Sequence, residues 1–379
     1  MDTLLTNACL VLPDRVVERG WLRAEQGRIV DLGEGDPADP GADLDGDVLI
    51  PGLVELHTDH LESHYAPRPS VRWSAFSAVL SYDAQIAASG ITTVFDSFRV
   101  GSDADSGSLG SEIWKLTEAV RTAGNGGHLR VDHRTHLRCE LASPDVLETA
   151  EAFVDRFAVD LISLMDHTPG QRQFRSLDAW RRFYTRKSPM SAAELDGFIA
   201  KRLDLHARYA HAHRQRLVEL AKSNGIALAS HDDTTVEHVA ESLADGIAVA
   251  EFPTTGEAAR ASHEGGLRVM MGAPNLVRGG SHSGNVAALE LAEDGVLDIL
   301  SSDYVPASLL MAAFALPSRV PGIALHDAIR TVTETPAQAT GLTDRGALVP
   351  GLRADLVRVH VSPDGPVVRQ VWREGRVVA

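Results

Sequence analysis

Eight short apolar runs, rich in β-branched residues, divide the middle of this 379-residue chain: LVELH (53–57), ITTVFD (91–96), HRTHLRCE (133–140), LISLMDH (161–167), IALASH (226–231), IAVAEF (247–252), LRVMMG (267–272) and LDILSSD (297–303). Stretches of helical periodicity, such as 234–245 and 285–295, lie between them. Parallel strands need crossover connections of a dozen or more residues, usually helices. Eight such repeats predict an α/β fold, a (β/α)8 TIM barrel over residues 51–344. The gap from 168 to 225 is wide enough to hold another strand. It carries a helix with a capping box at Ser191 and Glu194 and a stop at Asn224-Gly225.

Both ends of the chain read differently. LLTNACLVL, VVERGWLRAEQGRIVDLG and DVLIPG alternate apolar and polar residues, as do GALVPGLRADLVRVHV and VVRQVWREGRVVA. Neither end has enough strands for a core of its own. Residues 1–50 and 345–379 are therefore expected to combine into one small β-sandwich.

The formal net charge of −16 excludes general nucleic-acid binding, which needs a basic field. No apolar run reaches membrane-spanning length, and the first residues lack a basic stretch followed by an apolar one. With only two cysteines, Cys9 and Cys139, a disulfide framework is excluded and a cytoplasmic location is expected. Nothing in the sequence sets the oligomeric state; a homodimer is the default expectation.

Barrel chemistry sits at the C-terminal strand ends. There the chain places His57 and Asp59, His136 and Glu140, Asp166 and His167, His231 with Asp232 and Asp233, and Asp303. One histidine at a strand end is more often structural, but five strand ends bearing imidazole or carboxylate point to a metal clamp. The donor set suits divalent cations, zinc first, with manganese or iron as alternatives. Two ions are expected, His57, Asp59 and Asp303 holding one and His167 and His231 the other. The competing reading makes His57 a buried histidine and Asp59 a helix cap, since Asp59 and Glu62 have capping-box spacing. None of the four lysines falls where a carboxylated lysine could bridge two ions. Glu140 is the bridging candidate, unless it pairs with Arg134 or Arg138. One of Asp232 and Asp233 is expected to cap the helix that starts near Thr234.

The blocks PGLVELHTDHLESHYAPRPSVRW, SYDAQIAASGITTVFD, HLRCEL, SLMDHTPGQRQF, ALASHDD, EFPTT, MGAPNLVRGGSHSGNVAA and ILSSDYVPASLL resemble one family along essentially the whole chain. The chain resembles the amidohydrolase superfamily, and within it the PhnM-type α-D-ribose 1-methylphosphonate 5-triphosphate diphosphatases of the carbon–phosphorus lyase pathway. The usual His-x-His of the superfamily is His57-Thr58-Asp59 here, and His60 stands where the family pattern leads to asparagine. The resemblance implies a metal-dependent hydrolase of phosphonate metabolism that cleaves a phosphorylated sugar phosphonate, a 5-triphosphate, to the 5-phosphate and pyrophosphate. The alternative is another hydrolase on this scaffold, acting on an amide, cyclic ureide or deaminable base.

A triphosphate carries about four negative charges, which cations and guanidinium groups can offset. Arg68, Arg172 and Arg278 lie within the informative blocks and are the expected substrate-binding arginines. Gly279, Gly280, Ser281, His282, Ser283 and Gly284 form a small-residue loop. If it leads into a helix, its amides can cradle a phosphate, with Ser281 and His282 as contacts. Asp303 is the expected acceptor of the proton from the attacking water.

Overall fold

A computed structural model describes residues 2–101, 112–172, 180–181, 191–281 and 284–379. All eight runs form strands. In the chain's strand numbering they are β6 (Leu53–Thr58), β7 (Ile91–Val100), β8 (Asp132–Glu140), β9 (Leu161–Met165), β10 (Ala227–His231), β11 (Val249–Glu251), β12 (Arg268–Gly272) and β13 (Ile299–Ser301). Each pairs in parallel with the next. A parallel bridge from Thr58 to Asp303 closes the ring. The gap at 168–225 adds no strand among its described residues. Its helix Ala192–Leu205 starts with the expected capping box, Ser191 and Glu194 each bonding the other's backbone. A π-helical turn, His206–Ala210, follows, and the helix runs on to Asn224 with Gly225 at φ 66°.

The termini share one sheet: β1 (Thr3–Val11), β2 (Val16–Glu25), β3 (Arg28–Glu34), β4 (Ala42–Asp43) and β5 (Val48–Pro51) join β14 (Leu356–Ser362), β15 (Gly365–Arg373) and β16 (Arg376–Val377). The order is β16-β15-β14-β5-β1-β2-β3, with β4 against β1. The start of β3 bridges to Arg353, ahead of β14, so the sheet curls back on itself. Leu5, Leu10, Leu22, Ile29, Leu49 and Trp372 fill the enclosed core. Pro51-Gly52 leads directly into the barrel. A Cβ on Gly52 would lie 2.1 Å from Thr92 Oγ1, so only glycine fits this junction.

Strand periodicity builds the barrel interior. Val54, Phe95, Leu161, Ala229, Val249, Met270 and Ile299 form an apolar plug, with Ala337 beneath it. Side chains alternate faces along a strand, so the next inward position is two residues on. On five of the strands the sequence turns polar there: Ser97, Ser163, His231, Glu251 and Ser301. The plug seals the barrel below, and polar chemistry is confined to its C-terminal end.

Glu55 fastens the seam between first and last strands. Its carboxylate, fully buried, accepts from His57 N at 2.6 Å, Ser301 Oγ at 2.7 Å and the amide of Ser302. Burial pushes its pKa up to about 7, opposed by those donors. Glu55→Ala strands the amides of His57 and Ser302, while the Ser301 hydroxyl keeps the His57 carbonyl as acceptor at 2.8 Å, and a buried unsatisfied group costs about 1–3 kcal/mol. The expected loss of about 3–5 kcal/mol of unfolding free energy is checked by urea denaturation; a loss below about 1 kcal/mol contradicts the seam.

Candidate active site

The mouth of the barrel holds two groups of side chains whose donor atoms lie within 4.8 Å of one another: His57, His136 and Glu251, and His167, His231 and Asp232. Glu251, at the end of β11, joins them. Its Oε2 is 3.0 Å from His231 Nδ1 and 3.3 Å from His57 Nδ1, and its Oε1 is 3.6 Å from His136 Nε2. The His57 and His231 rings stack at 5.6 Å, and His167 meets His231 edge-on at 5.7 Å.

Hydrogen bonds assign the tautomers. His136 Nδ1 lies 2.9 Å from the Leu56 carbonyl, which can only accept, so Nδ1 donates and Nε2 carries the lone pair. His231 Nδ1 donates to Glu251 and His167 Nδ1 donates to Glu140 at 2.6 Å, which leaves both Nε2 atoms basic. Carboxylates behind histidines in this way orient metal ligands. Burial drives the pKa of His136 and of His231 down to about 3 and that of His57 well below its usual value, with Arg138 acting in the same direction on all three. All three are neutral near pH 7, the form that ligates. Buried His57 Nδ1 and Glu251 Oε1 have no hydrogen-bond partner among the described residues. Unpaired buried donor atoms are costly, and a cation between them would satisfy both. The residues fit a divalent metal.

The expected site residues divide. His57, His231 and Asp303 line one cavity, together with Asp232, Arg138, Arg278, Ser281 and Phe252. Asp232, Phe252 and Asp303, each following a barrel strand, have φ of 57°, 53° and 54°. Such values are uncommon for aspartate and rare for phenylalanine. His167 stands beside His231. Asp59 is half-exposed, 3.5 Å from Arg138 Nη1, and does not cap the following helix; that helix, Leu61–Tyr65, has His60 at its cap and no side-chain cap bond. Glu140 differs from the bridging position expected of it. Both its oxygens face His167, one at the backbone amide (3.0 Å) and one at Nδ1. Burial favours its neutral form, but His167, Arg99 and Arg202 outweigh burial and hold its pKa at about 2. The arginine partners are thus Arg99 and Arg202, not Arg134 or Arg138.

Two arginines fall outside the cavity lining. Arg68 is exposed on the loop after Leu61–Tyr65. Arg172 is buried and ion-paired with Asp233 and Glu241, in a neighbouring pocket. The helix after β10 is capped by Thr235, because Asp233 is spent on Arg172 and Ser242. The small-residue loop also differs from expectation. It follows the C-terminus of helix Ala273–Arg278, with Gly279 at φ 86°, and the next helix starts only at Ala288. Arg278 and Ser281 line the cavity at and just beyond a helix C-terminus, so among the described residues no helix N-terminal amides stand behind them. His282 and Ser283 lie outside the described residues.

Sequence reasoning missed Glu251 and Arg138. Glu251 ends the sixth run at the same topological place as the other strand-end residues, and that was its signal. Arg138 had none, since alternation alone does not distinguish a cavity arginine from a surface one.

A model of an amidohydrolase family matches residues 199–379. The α-D-ribose 1-methylphosphonate 5-triphosphate diphosphatase of Escherichia coli strain K12 is 46% identical over 377 residues, covering 99% of this chain and 100% of that protein. An imidazolonepropionase of Streptomyces griseus is 25% identical, covering 93% of this chain and 90% of its own length. Among solved structures, N-acetyl-D-glucosamine-6-phosphate deacetylase from Mycobacterium smegmatis superposes over 100% of both chains with a TM-score of 0.66 at 17% identity, a likeness of fold.

Burial raises the pKa of Asp232 to about 7 and that of Asp303 to about 6, with Arg138 opposing both. Below those values the carboxyls hold protons that a cation must displace; above them they are already ionised. Metal affinity is therefore expected to rise with pH through the 6–7 window. Calorimetric titration of the metal-free protein with Zn2+ should show affinity rising about tenfold or more between pH 5.5 and pH 7.5, and a much smaller rise in Asp232→Asn. An affinity equal at both pH values contradicts the assignment.

Proposed function

The chain belongs to the α-D-ribose 1-methylphosphonate 5-triphosphate diphosphatase family, and from that membership we propose that it hydrolyses this triphosphate to the 5-phosphate and pyrophosphate. The end-to-end likeness to the Escherichia coli enzyme carries the reading. Within the site, two guanidinium groups, Arg138 and Arg278, share a cavity with His57, His231, Asp232 and Asp303, which suits a polyanion.

Two divalent ions, zinc by donor chemistry, would be held by His57, His136 and Glu251 and by His167, His231 and Asp232, with Asp303 on the same cavity wall. When bound, such ions polarise phosphoryl oxygens and lower the pKa of water. Glu140 positions His167, and Glu251 positions His231. Asp303, ionised above pH about 6, takes the proton of the attacking water. Arg138, tethered by Asp59, and Arg278 neutralise phosphate oxygens. Ser281 offers a hydroxyl from the same wall. Attack at the α-phosphorus releases pyrophosphate, a good leaving group that needs little help from a general acid. Both cysteines are free thiols, which suits a reducing cytoplasm.

Hydrolysis of an amide, cyclic ureide or deaminable base is the second reading, favoured by the likeness to imidazolonepropionase. A neutral substrate has no use for Arg138 and Arg278. The metal-loaded protein is expected to release pyrophosphate from the ribose triphosphate phosphonate, no ring-opened carbamoyl acid from hydantoins and no ammonia from adenine; the reverse result sinks the first reading. Arg138→Met should lower kcat/KM about 10²–10³-fold, chiefly through KM if the arginine binds ground state and transition state alike. Asp303→Asn should lower kcat by about 10³-fold or more with little change in KM. Steady-state kinetics separate the two; an unchanged Arg138→Met enzyme removes the arginine from the mechanism.

A further inference from the structure

Just after Asp59 the chain turns into helix Leu61–Tyr65. His60 and His64 stand one turn apart, at i and i+4, a spacing that lays two imidazoles over one face of a helix and is a known metal-chelating arrangement. Their Nε2 atoms both reach the side-chain oxygen of Gln85, at 3.2 and 2.9 Å. The two rings lie 5.3 Å apart. Gln85 belongs to another helix, Ala75–Ala88, so two separate elements bring the three atoms together. Fully buried Tyr82 from that helix packs beneath, 6.4 Å from His60 and 6.1 Å from His64, and restricts both rings.

The two separations are those of hydrogen bonds and equally those of neighbouring ligands around one ion. With metal–ligand bonds of about 2.1 Å, adjacent ligand atoms lie about 3.0–3.4 Å apart, octahedral to tetrahedral. Both nitrogen–oxygen separations sit close to that edge. Burial favours the neutral, ligating form of His64, and His60 acts the same way against Gln85. Neither histidine lines the mouth cavity or belongs to the groups there.

We propose that His60, His64 and Gln85 form a further metal site, separate from the mouth, that takes one transition-metal ion of the imidazole-favouring kind, Zn2+, Ni2+ or Cu2+. Its ligands carry no charge, so it binds more weakly than the mouth, where carboxylates share the load. Partly exposed, it can add water to complete its coordination. An ion there also pins the turn that follows Asp59.

The test uses the full-length enzyme with its mouth already loaded with Zn2+. Calorimetric titration with Ni2+ should find one additional ion per chain. His60→Ala and His64→Ala should each abolish that uptake while pyrophosphate release stays within twofold of the parent. Gln85→Glu, which supplies a charged oxygen, should tighten it at least tenfold. Cu2+ bound at the same place should show electron paramagnetic resonance hyperfine splitting from two imidazole nitrogens. No additional ion in the parent, the same uptake in His64→Ala, or no tightening in Gln85→Glu would each overturn the site. The Gln85→Glu measurement removes no histidine, so it decides the question even if an alanine variant is unstable. None of these readouts depends on which substrate the mouth hydrolyses.

Discussion

Closure of the barrel rests on one buried carboxylate. Glu55 holds the amide of His57 on the first barrel strand and both Ser301 and Ser302 on the last. Together with the Thr58–Asp303 bridge, that seam brings the eight strand ends to one mouth. The same bonds also fix the backbone at His57, so closing the fold and aiming the first imidazole are a single event. The apolar plug below completes the constraint. Because Val54, Phe95, Met270 and their neighbours fill the interior, the histidines and carboxylates of the mouth gather above them.

Gathering them raises an electrostatic problem that the structure answers in layers. His57, His136 and Glu251 are almost wholly removed from water. Charged imidazoles there would be prohibitively expensive, and burial makes them neutral. One oxygen of Glu251 and one of Glu140 accept from the Nδ1 of His231 and His167, which fixes which ring nitrogen stays basic. Arg138 faces the same cavity and lowers the proton affinity of His57, His136, His231, Asp232 and Asp303. A site set to hold cations, yet lined by an arginine, makes electrostatic sense when an anion joins them.

How much of this was readable in the residues follows from which interactions are local. The eight strands were, because a β-rich run between helical stretches is a local pattern. So was the helix at Ala192, since a capping box needs only four residues. His57, His167, His231 and Asp303 were readable as a class, because strand ends in a barrel share one place in space. Pairing was not. Arg172 looked like a phosphate ligand in its block, but its partners Asp233 and Glu241 come from the far side of a crossover. Glu140 looked like a bridge until His167 closed over both its oxygens. The small-residue loop suggested a helix start, whereas Gly279 in the left-handed region ends one. Each case turns on a contact between residues far apart in sequence or on a backbone state that composition does not encode.

Substrate choice on this scaffold is then a question of what surrounds the metal groups. Imidazolonepropionase resembles this chain over most of its length, and a sugar-phosphate deacetylase shares its fold. Histidine and carboxylate at strand ends alone cannot separate those chemistries from anhydride cleavage. The difference must come from the walls. Here Arg138 is anchored by Asp59, the residue that replaces the second histidine of the usual superfamily motif. A carboxylate in that position pairs with a guanidinium more strongly than a neutral imidazole does. The His-x-Asp pattern and the cavity arginine are therefore linked: the Asp59 carboxylate holds the Arg138 guanidinium at the mouth.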